Sequence, residues 1–220
     1  MTHKNPAGEE RAGSEPRALR AGPITSPCFA PESVFSHARK RLLADPPKGW
    51  RQAPTPGMRS AAVLVGLADY GSEIRVLFTQ RNAALKAHSG QIAFPGGKIE
   101  PADECPAASA LREAREEIGL SPSQAKLLGY LEPYATGTGF WVTPAVAKLS
   151  TPIALQINAA EVDEVFEVPF VFLMDAANHE LHYRAVDGRL RQYRAIPYEA
   201  RNIWGATAGI LRNLYERLYG

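Results

Sequence analysis

Arg112 to Glu117 reads Arg-Glu-Ala-Arg-Glu-Glu, which spaces the carboxylates Glu113, Glu116 and Glu117 at i, i+3 and i+4. On a helix that spacing brings side chains together. One reading is a solvated face, with Arg112 and Glu116 as an i,i+4 pair that contributes only roughly 0.3–0.5 kcal/mol. The other is a cation site. Neighbouring like charges oppose one another unless a counter-ion intervenes. Three carboxylates are also the hard oxygen donors that Mg²⁺ takes, while it keeps waters to share with phosphates.

A helix has to position these groups, and the sequence supplies its ends. Pro106 suits a first turn and Gly119 a C-cap. Leu111, Ala114 and Ile118 fall on one face, and the three glutamates on another that is broadly opposite. Such a helix packs on a sheet and presents its carboxylates to a cleft.

The sheet is expected from several β-rich runs. Residues 60–68 and 74–81 read as a hairpin around Asp-Tyr-Gly-Ser-Glu, and residues 125–134 and 140–149 as further strands. Residues 161–175 hold a short strand and a helical turn. A second hairpin over 180–196 turns at Asp187-Gly188. Ile203, Ala206, Ile210, Leu214 and Leu218 repeat at helical spacing near the C-terminus. Before all of these, Val34, Phe35, Ala38, Leu42 and Leu43 mark an amphipathic helix, followed by a Pro-rich connector. The expectation is an α/β fold layered around a mixed sheet. Residues 1–30 are expected to form a flexible tail, 31–58 the N-terminal helix and connector, and 59–220 the main domain.

Composition excludes some classes of function. Of the 220 residues 45% are hydrophobic and 22% charged, with a net charge of +2. Residues 1–50 carry eight Lys/Arg against five Asp/Glu, leaving 17 against 18 for the rest. That balance gives no basic stripe for nucleic acid. No apolar run reaches the roughly 18–20 residues that span a bilayer, so no membrane partner is expected. Cys28 and Cys105 read as free thiols, and no secretory signal precedes them, which fits the cytoplasm.

The order Gly97, five residues, Asp103, eight residues, then Arg112-Glu113-Ala114-Arg115-Glu116-Glu117-Ile118-Gly119-Leu120 resembles the box of the Nudix hydrolases. It departs in having Ala114 at an aliphatic position and one surplus residue between Gly97 and Arg112. The surplus is similar to the coenzyme A pyrophosphatase branch, with Asp103 as the first acid and Glu104 as its added neighbour. Upstream, Thr79, Arg81, Lys86, Gly90 and Phe94-Pro95-Gly96-Gly97 also resemble that branch, with Asn82 and Lys86 as mild departures. The likeness runs from about Ser60 to Leu218.

The resemblance implies a Nudix-type α/β/α sandwich around a mixed β-sheet. It also implies hydrolysis of coenzyme A or acyl-coenzyme A, with Mg²⁺ or Mn²⁺ as cofactor. The partner is then a small-molecule nucleotide of the coenzyme A class, and a homodimer is left open. Glu113, Glu116 and Glu117 become catalytic and metal-binding residues, with the Gly96 or Gly97 carbonyl completing the metal site. The base is Glu113 or a carboxylate from a later loop, Glu161 or Glu164. Arg112 holds the helix carboxylates, and Asp103 fixes the loop against the helix. Arg81 and Lys86 either reach substrate phosphates or form loop ion pairs, while His88 reads as a structural hydrogen-bonder. Trp141 and Trp204 read as core or lid residues. Alternatives are another nucleoside diphosphate derivative (ADP-ribose, a dinucleoside polyphosphate or an RNA end) and a non-catalytic nucleotide-binding module.

Overall fold

The computed structural model describes residues 29–84, 90–186 and 188–220. Its elements are α1 (Pro31–Arg41), β1 (Arg59–Asp69), β2 (Ile74–Arg81), β3 (Ile92–Ala93), β4 (Gly96–Lys98), α2 (Pro106–Ile118), β5 (Ala125–Tyr130), β6 (Tyr134–Ala135), β7 (Phe140–Ser150), β8 (Val162–Pro169), α3 (Phe170–Leu173), β9 (Glu180–Val186), β10 (Arg189–Tyr198), β11 (Arg201–Trp204) and α4 (Ala206–Tyr219). Among the described residues no helix is long and apolar enough to cross a membrane.

The main sheet runs β3-β2-β1-β7-β5, with β4 paired to β1, β6 to β7 and β8 to β2. It is mixed: β1 and β7 pair in parallel from Arg59 opposite Phe140 to Asp69 opposite Ser150, and the other pairings are antiparallel. Strand alternation sorts β1 between two apolar clusters. Ala61, Val65 and Leu67 join the side covered by α1 and α4, and Ala62 and Leu64 the side covered by α2. Burial on both faces explains why β1 and β7 read as nearly continuous apolar runs. The result is the expected α/β/α sandwich.

β9, β10 and β11 form a separate antiparallel sheet. Gly188, at φ +71°, serves the expected hairpin turn, while Asp187 lies outside the described residues. One expectation needs correction. Ile203 belongs to β11, opposite Ile196, because the backbone turns at Gly205 (φ +66°) before α4 begins. Ile203 is buried all the same, so its apolar character fitted a helical repeat it does not share.

The ends of α2 match their chemistry. Pro106 occupies the first turn, and Gly119 adopts φ +70°, with its N–H bonded to the Arg115 carbonyl at 3.0 Å. A Cβ on Gly119 would crowd Gln156, so glycine both stops the helix and lets the next segment pack on it.

Candidate active site

Three segments meet beside α2: the Gly96-Gly97 strand, the loop before α2, and the 156–161 segment leading into β8. β4 pairs with Ala61–Val63 of β1, which lays its backbone along the helix. A Cβ on Gly97 would overlap the Glu113 carboxyl, and one on Gly96 would overlap the Ala62 carbonyl. The glycines are needed for that approach. The 156–161 segment docks on the last turn of α2 through Gln156 N–H to Ile118 O (2.8 Å) and Asn158 N–H to Glu117 O (2.9 Å).

The three glutamates do not share one face. The Glu117 side chain is 5% exposed, Glu113 17% and Glu116 56%. Helix geometry explains the spread: relative to Glu113, Glu117 turns about 40° toward Ala114 and the core, and Glu116 about 60° away from it. The single carboxylate face expected from sequence is therefore a fan that reaches from the core to solvent.

Two arginines hold the fan. Arg112 donates to both oxygens of Asp103 (3.2 Å each), to Glu113 Oε1 (2.8 Å), to Glu116 Oε2 (3.2 Å) and to the Lys98 carbonyl (3.0 Å). Asp103 is buried and also accepts from the Glu100 N–H at 2.8 Å, whereas Glu104 is exposed. Among the described residues, Asp103 therefore bonds the loop to the helix, and Glu104 does not. Arg81 approaches Glu117 more loosely, with Nη1 3.8 Å from Oε1.

Glu117 Oε2 accepts from the Gly96 N–H at 3.2 Å. Burial pushes the Glu117 carboxyl up to about 7 from its usual 4.5. The Gly96 N–H and Arg81 oppose the rise, and the charges of Glu113 and Glu161 add to it. Glu113 is also raised, mainly by burial, with Arg112 opposing and Glu116 and Glu161 adding. In metal-free protein the unfolded chain releases Glu117's proton near pH 4.5 while the native state keeps it to about 7, so stability falls as pH rises through that window. The loss for this group should reach about 3 kcal/mol above pH 7. Melting temperatures of wild type and Glu117→Gln in chelator should diverge as pH rises; parallel curves would contradict this.

The later-loop carboxylates separate clearly. Glu161 raises both Glu113 and Glu117 by its charge and lies 3.4 Å from Asn158 Nδ2. Glu164 is paired instead with Arg201, whose guanidinium lies 4.4 Å over the Phe166 ring. Asn158 had no distinguishing mark in the sequence, because it acts here through its backbone N–H, and Gly96, singled out for its carbonyl, acts here through its N–H. Arg51 was missed too; it reaches the Asp103 carbonyl from the Pro-rich connector. Trp204 packs edge-on to Tyr193, and among the described residues Trp141 buries its Nε1 without a hydrogen-bond partner. Lys86 and His88 lie outside the described residues.

These donors suit a divalent ion: hard carboxylate oxygens, a buried carboxylate with sparse compensation, and glycine backbone against Glu113. Among the described residues, however, no three His, Cys, Asp or Glu side chains already converge as a ligand set. Arg112 draws Glu113 and Glu116 to itself.

A model of the NUDIX domain matches residues 58–212. A Photorhabdus laumondii protein named Uncharacterized Nudix hydrolase NudL is 39% identical over 188 residues, covering 84% of this chain and 97% of that protein. The protein of the same name from Escherichia coli K12 is 37% identical over 160 residues, covering 71% and 81%. Among solved structures, the NUDIX domain of Shewanella oneidensis NrtR, complexed with ADP ribose, aligns at TM-score 0.45 and 19% identity over 72% of this chain and 86% of that one. A C. elegans Ap4A hydrolase aligns at 0.43 and 24%, over 50% and 80%. Both structural likenesses are loose, and neither passes its ligand to this chain.

Proposed function

This chain belongs to the Nudix hydrolase family, and on that premise we propose that it cleaves the diphosphate of coenzyme A or an acyl-coenzyme A. The products are 4′-phosphopantetheine, or its acyl form, and adenosine 3′,5′-bisphosphate. Hydrolysis of a phosphoanhydride in a small nucleotide substrate follows from the family; the coenzyme A preference is our reading. The observation that carries it is the pairing of two sequence features: the surplus residue between Gly97 and Arg112, and the Thr79, Arg81 and Phe94-to-Gly97 signature upstream.

Nudix hydrolases generally use divalent metal ions. Here Glu113 and Glu117, then Glu116 and the Gly97 carbonyl, would hold Mg²⁺ or Mn²⁺. A divalent ion supplies charge neutralisation at the diphosphate and acidifies water. Arg112 orients Glu113 and Glu116 while staying fixed to Asp103. Glu161 is the stronger candidate base, since its charge is felt at both Glu113 and Glu117 while Glu164 is committed to Arg201. Arg81, and Lys86 by sequence alone, take the substrate's phosphates. Cytoplasmic location, a possible pairing into homodimers and a catalytic domain over 59–220 stay part of the proposal on sequence grounds.

Purified protein with Mn²⁺ or Mg²⁺ should release adenosine 3′,5′-bisphosphate from coenzyme A, read by chromatography of the products. Turnover of ADP-ribose or dinucleoside polyphosphates without turnover of coenzyme A would overturn the substrate assignment.

A further inference from the structure

Glu117 and Arg81 make an unusual ion pair. One carboxylate oxygen is fixed on the Gly96 N–H, and the other faces Arg81 Nη1 at 3.8 Å, beyond the roughly 2.7–3.2 Å of an N–H···O hydrogen bond. Arg112 contrasts with it, since its five bonds of 2.8–3.2 Å tie it to Asp103 and the Lys98 carbonyl as well as to the glutamates. Among the described residues, Arg112 is anchored by side-chain hydrogen bonds and Arg81 is not.

The Arg81 backbone is nevertheless fixed. Its N–H donates to Gln91 O at 3.0 Å and its carbonyl accepts from the Gly90 N–H at 3.1 Å. The β2–β8 register shifts between Gln80 and Arg81, and such irregularities re-aim a side chain. Among the described residues, Arg81 Nε is buried without a hydrogen-bond partner. Among those residues, therefore, the side chain hangs from a rigid mount, holds Glu117 by charge alone, and has a donor unused.

We propose that Arg81 is a displaceable counter-cation: Glu117 exchanges it for the divalent ion, and the freed guanidinium then engages a phosphate of the substrate. Metal loading and diphosphate capture are thereby linked through one side chain. This rests on the reading of Glu117 as a metal ligand and not on the identity of the substrate.

The test is Mn²⁺ alone, titrated into the full chain and followed by electron paramagnetic resonance of the free ion. Arg81→Gln removes the competing cation and should bind Mn²⁺ roughly three- to tenfold more tightly than wild type. Arg81→Lys keeps the charge and should stay near wild type, and Arg81→Met replaces Arg81→Gln if that variant fails to fold. The KM for substrate should rise in Arg81→Gln although its metal affinity has improved. Unchanged or weakened Mn²⁺ binding in Arg81→Gln, where Glu117→Gln loses binding, overturns the exchange alone. Wild-type binding in Glu117→Gln removes the metal-ligand reading beneath it. Tight Mn²⁺ binding in Arg81→Gln, beside wild-type protein that turns over no coenzyme A, leaves the exchange standing and defeats only the substrate assignment.

Discussion

Glu117→Gln is expected to lower turnover by on the order of 10²–10³-fold while leaving the metal-free fold at least as stable as wild type above pH 7. The two effects have opposite signs because one group causes both. Gln retains a carbonyl oxygen for the Gly96 N–H and nearly the same volume, so the contact that docks α2 on the glycine strand survives. What it loses is a negative charge held against burial and against the charges of Glu113 and Glu161. In the free protein that charge opposes folding; in the loaded enzyme, on the proposed reading, it would hold the metal. A structural glutamate would behave otherwise, with activity falling only as far as stability falls. Steady-state turnover at saturating Mg²⁺, beside melts in chelator, separates the cases. Undiminished activity would remove Glu117 from the site.

The contrast between Glu117 and Glu116 shows what sequence patterning can reach. Spacing placed three carboxylates on one helix, and Pro106 and Gly119 marked its ends, because capping is a local property of the chain. Local patterning also marked both hairpins. The helical wheel also turns Glu117 toward Ala114 and Glu116 away from it, but how deep each glutamate sits depends on how closely α2 packs on β1 and β4. Nor could local patterning separate the settings of Glu161 and Glu164. The difference follows from backbone hydrogen bonds of Gln156 and Asn158 to α2 and from an Arg201 that approaches from a different sheet. The parallel pairing of β1 with β7 was illegible for the same reason: its partners lie far apart in the chain and carry no turn signal between them. Asp103 and Glu104 are a middle case. Spacing alone misfits either acid by one residue and the resemblance favoured Asp103, which the structure buries beneath Arg112.

Arg112 is where fold and chemistry depend on the same atoms, so Arg112→Ala should damage both. Its removal strands a buried Asp103 that now keeps only lesser partners, the Glu100 N–H and Ser109. Burial works against the ionised Asp103 carboxyl, yet Arg112 and those lesser donors hold it below its usual range. Breaking a buried pair from one side costs about 3–5 kcal/mol. Arg112 is itself a quarter exposed, so a loss of roughly 2–3 kcal/mol is expected, or about 5–10 °C in melting temperature. The exposed Glu116 contact contributes little to that figure. A lowered carboxyl stabilises the fold above its unfolded pKa of 3.8, and the benefit disappears as pH falls through the folded value. The melting curves of wild type and variant should therefore converge in acid and separate toward neutrality. Turnover should drop further than the melting temperature explains, because Glu113 loses its 2.8 Å partner. Arg112→Lys should recover part of the stability through its charge but little of the turnover, because an ammonium cannot hold Asp103 and Glu113 together as the guanidinium fork does. Equal recovery of both would reduce Arg112 to a source of charge.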